Sequence, residues 1–269
     1  MFPLRATLIL FLLVGLSARA AGPVAVTLPA SARPATPPEL EMLGKALEQT
    51  AQDLRRWAYT ESRVVRDEKG KVKTDVVVRY DPSKPYAEQW VPISVGGKPP
   101  TPGDIQKYRR QGQKAQKRDE TSDTSGRKSL GESINLRTAF VMSETEPVLV
   151  FEVPLKKDGN DRFPPEKFQV LVRVNKTTRT LENIAVKLRS SFRSKLIVKV
   201  KSGEATLDFA VVNPKYPPTL TAISGDASAS IFFVSIGGEL ELKRTDLKHV
   251  KPFDERFEVQ IGTLKAIDF

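Results

Sequence analysis

The first periodic segment of the chain has the pattern of an amphipathic helix. Thr36, with Pro37 after it and Glu39 three positions on, matches a helix start with a capping threonine and a capping box. The spacing of the apolar positions that follow is that of one helical face. These positions are Leu40, Leu43, Leu47, Leu54 and Trp57. The pattern predicts a helix over residues 38–56.

From Trp57 onward the pattern changes to the two-residue alternation of β-strands. About thirteen strands are predicted, over residues 57–65, 72–80, 86–95, 136–143, 147–153, 168–174, 181–190, 195–201, 204–212, 219–224, 229–235, 239–248 and 255–264. Ser202 and Gly203 predict a two-residue hairpin turn. Because alternation leaves one face polar and thirteen strands overfill a flat sheet, we expect a curved antiparallel sheet or a barrel.

A polar segment at about 102–133 interrupts the strands. Residues 101–104 favour a helix start, and a polar helix follows. Six basic residues mark it as a candidate anionic-surface patch: Lys107, Arg109, Arg110, Lys114, Lys117 and Arg118. One interpretation is a solvated insertion; the other is contact with anionic lipid or lipopolysaccharide. Since the segment lacks an apolar face, such contact would be peripheral and sensitive to salt.

The N-terminus has the layout of a secretory signal peptide. Arg5 precedes an apolar run over residues 8–16, and small residues at Ala18 and Ala20 predict cleavage after about Ala20. The run is shorter than the roughly 20 residues that a membrane span requires. We therefore expect a periplasmic protein with a signal peptide at 1–20, an Ala/Pro-rich leader at 21–35 and one β-rich domain at 36–269.

The net charge and the lack of cysteine limit the classes of partner and of chemistry that we expect. The chain carries a formal net charge of +11 and no cysteine. The charge favours acidic surfaces such as anionic lipid, lipopolysaccharide or acidic glycans. No nucleic-acid partner is expected, because no nucleic-acid-binding module is recognised. The lack of cysteine excludes thiol catalysis, disulfides and thiolate-bound metals.

Candidate catalytic and metal-binding chemistry is sparse. His249, the only histidine, lies among basic residues and is predicted to be a surface or strand-end residue. Residues 158–161 group oxygen ligands without the spacing of a calcium loop, so a turn is predicted. Glu144 and Glu146 are predicted to be solvated. We expect no catalytic residue, metal or cofactor; an unusual hydrolase would require a buried carboxylate pair.

Aromatic residues gather on the first predicted strands, at Trp57, Tyr59, Tyr80 and Trp90. Two interpretations remain open for them: ordinary core packing, or the lining of an apolar cavity. The candidate lipid-binding cavity comprises Trp57, Tyr59, Val76, Val78, Tyr80, Trp90, Phe140 and Phe209.

The layout resembles the LolA/LolB-like periplasmic lipoprotein carriers, and particularly the outer membrane lipoprotein-sorting relatives. The resemblance lies in residues 57–60, 70–72 and 95–102, within an overall layout spanning about 36–269. It implies an α+β, mainly β fold: a strongly curved antiparallel sheet, or unclosed half-barrel. The N-terminal amphipathic helix and the second, polar helix would cover its concave face. The basic insertion and the long C-terminal strand series are larger than a minimal carrier needs. None of the carriers' ligand-contacting positions is assigned to a residue of this chain.

The resemblance implies a non-catalytic protein that binds a lipid or lipoprotein acyl chain in an apolar cavity, without a cofactor. Outer-membrane lipoprotein sorting or sensing is the process expected for it. The alternative is a cell-envelope interaction module that contacts anionic membrane surfaces through the basic helix.

Overall fold

The computed structural model of the protein describes residues 32–121, 134–157, 164–194, 198–231 and 234–256. Several predicted features lie wholly or mostly outside these ranges. They are the signal peptide, most of the leader, the loop at 121–133, the turn at 158–161 and the strand at 255–264.

Two helices are present in the described residues. Helix α1 spans Pro37–Asp53 and continues into a 3-10 turn at Leu54–Arg56. The predicted capping box is confirmed, because the Thr36 side chain accepts from the Glu39 backbone N–H and the Glu39 carboxylate accepts from the Thr36 backbone N–H at 2.8 Å. Helix α2 spans Pro102–Thr121, as the polar segment predicted.

Twelve strands are found in the part of the chain that the structure describes. They are β1 (Arg33–Pro34), β2 (Trp57–Asp67), β3 (Val72–Tyr80), β4 (Trp90–Val95), β5 (Phe140–Thr145), β6 (Val148–Glu152), β7 (Phe168–Asn175), β8 (Thr180–Leu188), β9 (Phe192–Ser194), β10 (Val198–Ala210), β11 (Thr219–Ile231) and β12 (Val234–His249). Arg33 and Pro34 lie in the predicted leader, yet they pair with Val141 and Phe140 of β5.

The strands form one antiparallel sheet in the order β1-β5-β6-β7-β8-β10-β11-β12-β2-β3-β4, and β9 pairs with β10. The strands at the two ends of this order, β1 and β4, do not pair with each other, so the sheet is curved but unclosed. The N-terminal strands β2 to β4 join the rest through β12, which pairs with β2. This junction between distant parts of the chain positions the candidate site.

The main hydrophobic core lies between α1 and the sheet face that it contacts, here termed the inner face. Leu43 and Leu47 of α1 are buried against residues from β5 to β12. Phe151, Val172 and Leu242 are among the sheet residues buried almost completely in this core. The alternation of the strands therefore directs one apolar row per strand to α1.

The predicted hairpin at Ser202 and Gly203 is wrong. β10 continues through both residues, which pair with Ser228 and Ala227 of β11 across a bulge. The small residues on both strands let the strands approach and continue together. For the same reason Val198–Ala210, which covers most of the predicted strands 195–201 and 204–212, is one strand, and 219–224 continues without a break to Ile231.

Other boundaries moved where prolines and side-chain hydrogen bonds ended strands. The predicted strand 86–95 begins as a 3-10 turn at Tyr86–Glu88 and becomes a strand only at Trp90. The predicted strand 136–143 likewise starts with a 3-10 turn, Leu136–Thr138. Strand β9 was not predicted as a separate element.

Candidate functional site

An aromatic group occupies the inner face where β2, β3 and β4 run side by side. Register places Tyr59, Tyr80 and Trp90 in one row across the three strands. The ring centroids are 5.1 Å apart for Tyr59 and Tyr80 and 4.2 Å apart for Tyr80 and Trp90. Burial raises the pKa of the Tyr59 phenol, and it raises the pKa of Tyr80 to about 12. Tyr59 is buried, whereas Tyr80 and Trp90 are half-buried.

Helix α2 reaches this part of the sheet through one large side chain and one glycine. Tyr108 is buried in a small cluster with Val76 and Val78, here termed the α2 cluster. Gly112, one turn further along α2, lies so close to the backbone that a Cβ there would stand 1.8 Å from the carbonyl oxygen of Tyr86. Among the described side chains, Tyr108 is the only one that α2 contributes to this cluster, so a small apolar contact holds α2 against the inner face.

A buried group of three charged residues, the Glu61 cluster, lies beside the α2 cluster. One Glu61 carboxylate oxygen accepts from Nη2 of Arg63, and the other accepts from Nε and Nη2 of Arg244 at 3.3 and 3.2 Å. The Arg244 guanidinium also lies over the Tyr59 ring, 3.8 Å from its centroid. Glu61 is 2% exposed and Arg244 is 8% exposed. Among the described residues of this cluster, two arginines and one glutamate leave one uncompensated positive charge.

Strand register places the Glu61 cluster between the main hydrophobic core and the α2 cluster. Arg63 pairs with Leu242 of the main core on one side and with Val76 of the α2 cluster on the other. Burial raises the pKa of the Tyr108 phenol, with Glu61 adding to this rise and Arg63 opposing it. The phenol of α2 thus lies within the electrostatic reach of the cluster.

A cleft of about 340 Å³ opens beside α2 at the sheet edge formed by β4, and it is termed the β4 cleft. Trp90 lines it and also packs against the α2 cluster, so this ring connects the surface with the inner face. Apolar side chains of Val91 and Ile105 are exposed beside it. The cleft is lined by Arg79, Asp81, Lys84, Ala87, Glu88, Gln89, Trp90, Val91, Pro92, Ile105 and Arg109.

His249 has a carboxylate partner, which the sequence pattern did not predict. Its Nε2 lies 2.9 Å from Oδ1 of Asp53, and the other Asp53 oxygen accepts from Nε1 of Trp57 at 2.7 Å. The imidazole stacks on Tyr216 with ring centroids 3.6 Å apart. This arrangement ties the end of α1 to the end of β12, and His249 is the last residue of its strand, as predicted.

The structure distributes the predicted cavity residues over several environments. Tyr59, Tyr80 and Trp90 form the aromatic row, and Val76 and Val78 lie in the α2 cluster next to it. The remaining three lie apart. Trp57 contacts Asp53 and His249, Phe209 packs against the main core, and Phe140, adjacent to the buried Val141, alternates to the opposite face.

The basic residues of α2 lie on its exposed side. Lys107, Arg110, Lys114 and Lys117 follow the 3-4-3 spacing of one helical face and are all exposed; they are termed the basic stripe. Arg109 lies instead at the β4 cleft. The side chain of Arg118 is outside the described residues.

Glu144 and Glu146 are exposed, but they have partners that were not predicted. Both carboxylates pair with Lys176, and Glu144 also accepts from Arg33 at 3.0 Å. No group of three or more potential metal ligands occurs among the described residues. Across the described part of the chain, neither helix combines the length and the apolar character that a membrane crossing needs.

Sequence reasoning missed Glu61, Arg63, Arg244 and Tyr108. Alternation on β2 could have indicated that Glu61 and Arg63 share a face with Tyr59. Their partner Arg244 is 183 residues from Glu61, and no local pattern links the two. Comparison of the chain with protein-family models, with curated proteins and with solved structures finds no match.

Proposed function

We propose that this chain is a non-catalytic, exported protein that binds the acyl chain of a lipid or lipoprotein on the concave inner face, beneath α2. The observation that carries the proposal is the position of Trp90. Its ring lines the β4 cleft and also packs against Val76, Val78 and Tyr108. An acyl chain that enters the cleft would meet a continuous apolar path to the inner face.

Two further features support this route. The aromatic row offers apolar surface that is shielded from water at Tyr59 and partly shielded at Tyr80 and Trp90, and such surface is what an acyl chain prefers. Helix α2 has a single large side chain in the α2 cluster. Because this side chain anchors α2 over the α2 cluster, displacement of α2 would open the inner face at Val76 and Val78, so α2 is suited to act as a movable cover.

The proposal is tested with a fluorescent fatty acid and the mature chain. We expect saturable uptake by the unmodified protein, and native mass spectrometry of protein isolated from its own cells should show a co-purifying amphiphile. Ile105→Asp places a charge at the β4 cleft and should weaken uptake at least tenfold. The absence of both uptake and co-purifying amphiphile would reject the proposal.

Val72→Asp is the matched control for Ile105→Asp. Val72 is 49% exposed and Ile105 is 45% exposed, so both variants place an aspartate on a similarly accessible surface. Val72 begins β3 at the end distant from the cleft. Equal losses of uptake in the two variants would show that the cleft is not the route.

The basic stripe favours a second candidate function, contact with an anionic membrane surface. The four stripe residues face solvent on the side of α2 opposite Tyr108. Each basic residue near an anionic surface contributes on the order of 1 kcal/mol at low ionic strength. Binding through the stripe would bring α2 to the membrane from which a lipid is taken.

Vesicles containing anionic lipid test this contact. Replacing Lys107, Arg110, Lys114 and Lys117 with glutamine should abolish sedimentation with such vesicles at low salt. The control replaces four exposed lysines elsewhere, Lys199, Lys201, Lys215 and Lys243, so that the net charge changes equally. A similar loss in both variants would assign the binding to net charge alone.

A further inference from the structure

The described residues of the Glu61 cluster carry two positive charges and one negative charge. Arg63 has five N–H donors, as every guanidinium has, and its Nη2 donates to Glu61. The Nε of Arg63 is buried and has no hydrogen-bond partner among the described residues. A buried donor without a partner is costly, and a buried uncompensated charge is more so.

Glu61 cannot compensate for both arginines. Its two oxygens are already engaged, one by Arg63 and the other by Arg244. The Arg63 side chain is 12% exposed, so water provides little compensation. The cluster is therefore complementary to one additional negative oxygen group.

The surroundings of Arg63 indicate what this group is attached to. Val76 and Val78 lie beside the cluster on the neighbouring strand, and Tyr108 of α2 lies over them. Arg63 lies four residues along β2 from Tyr59, and Trp90 lies two strand spacings across the sheet from Tyr59. The distance from Arg63 to Trp90 is therefore roughly 16 Å. A long acyl chain spans this distance with its carboxylate or phosphate at Arg63 and its tail directed to the β4 cleft.

We infer that Arg63, supported by the Glu61–Arg244 pair, binds the anionic head of an amphiphile whose tail lies beneath α2. This inference rests on the proposed function and adds the ligand class and its orientation. It commits to a single-chain amphiphile with a terminal oxyanion. Glu61 holds both guanidiniums in place, and Arg63 supplies the donors that contact the head.

Dodecanoate and 1-dodecanol distinguish the head from the tail. The two have the same chain length, but the alcohol has no charge and partitions more readily into an apolar site. Calorimetric titration at pH 7.5 should show at least tenfold tighter binding of dodecanoate by the unmodified protein. Arg63→Met should remove this preference while the affinity for 1-dodecanol is kept.

Arg63→Met leaves Glu61 paired with Arg244, so the charge of the cluster is balanced and the fold should be retained. Arg63→Gln is the second variant if the first does not fold. Arg66→Met is the matched control, because Arg66 lies on the same strand with only a loose contact to Glu241 at 3.7 Å. It should bind both ligands like the unmodified protein.

The outcomes separate the two proposals. Binding of neither ligand rejects the proposed function together with this inference. Equal binding of both ligands, unchanged in Arg63→Met, keeps acyl-chain binding and overturns the anionic head. Inorganic phosphate is the third ligand: Arg63-dependent binding of phosphate without binding of dodecanoate would overturn the amphiphile in favour of a free oxyanion.

Discussion

At the scale of single residues, Glu61 is the side chain on which the charge balance of the inner face depends. Its carboxylate is the counter-charge for Arg63 and Arg244. Removing one partner of a buried ion pair is far more destabilising than removing an exposed one, because the remaining charge stays buried.

Glu61→Gln should therefore lower the free energy of unfolding by about 3–5 kcal/mol, as measured by urea denaturation. Glu241→Gln is the control, since Glu241 is 55% exposed and contacts Arg66 only at 3.7 Å. The control should change stability by less than about 1 kcal/mol. Similar small changes in both variants would contradict the burial of the Glu61 cluster.

Glu39 is the second carboxylate whose interactions affect the stability of the fold. The Arg33 guanidinium lowers its pKa to about 2, against an ordinary value of 4.5, and the Thr36 hydrogen bonds add to this. Because the pKa is lowered in the folded state, the stabilisation is present in full above about pH 4.5 and is lost as the pH falls toward 2.

Glu39→Ala should lower the free energy of unfolding at pH 7 by about 1–2 kcal/mol, because the capping box and the Arg33 ion pair are both lost. The difference from the unmodified protein should shrink as unfolding is measured at successively lower pH. Glu41→Ala, which removes an exposed pair with Lys45, should change the stability far less than Glu39→Ala does. A loss that does not depend on pH would contradict the carboxylate's role.

At the scale of elements, the sequence predicted best where local chemistry is sufficient. Thr36 and Glu39 identified the start of α1, because these two residues form the capping box themselves. Prediction failed at Ser202 and Gly203. Whether they turn or continue depends on Ser228 and Ala227 across the sheet, which a local pattern does not contain.

The candidate site was likewise predicted from the sequence only in part. The aromatic row and the two valines of the α2 cluster, Val76 and Val78, were included in the predicted cavity set because they lie on consecutive strands. The charged residues were not included, since an isolated Glu61 or Arg63 in a strand has the pattern of a solvated face. Their partner Arg244 lies beside them only when β12 pairs with β2 in the folded chain.

The packing of α2 leads to a prediction at Gly112. An alanine Cβ there would stand 1.8 Å from the Tyr86 carbonyl oxygen, so Gly112→Ala should force α2 away from the sheet edge. We expect a loss of about 1–3 kcal/mol of stability and faster hydrogen exchange in α2. Gly103→Ala, whose Cβ meets only the Thr101 hydroxyl at 3.6 Å, should be neutral or stabilising. Unchanged exchange in Gly112→Ala would contradict this packing.

At the scale of the whole molecule, the junction between β2 and β12 holds the sheet together. Without it, β2 to β4 would be a separate three-stranded meander, and the Glu61 cluster would not form. Such pairing between distant segments is costly in loop-closure entropy and slows folding.

Gly238 lies at this junction. A Cβ at this position would stand 2.0 Å from the Arg66 carbonyl oxygen on β2, so Gly238→Ala should separate the strands there. We expect a loss of at least about 1–3 kcal/mol in unfolding free energy together with weaker acyl-chain binding. Gly203→Ala, with its nearest heavy atom at 3.7 Å, is the control and should change neither. Equal stability of the two variants would show that the junction tolerates the added methyl group.

The strand order also has a consequence for biosynthesis. β2 is made early, but the strand that covers its free edge ends at His249, near the end of the chain. A polypeptide that emerges from the ribosome with its N-terminus first therefore carries an exposed template for aggregation for most of its elongation. A holdase that keeps this nascent edge apart until synthesis is complete would increase the yield of native protein more than a catalyst of folding would.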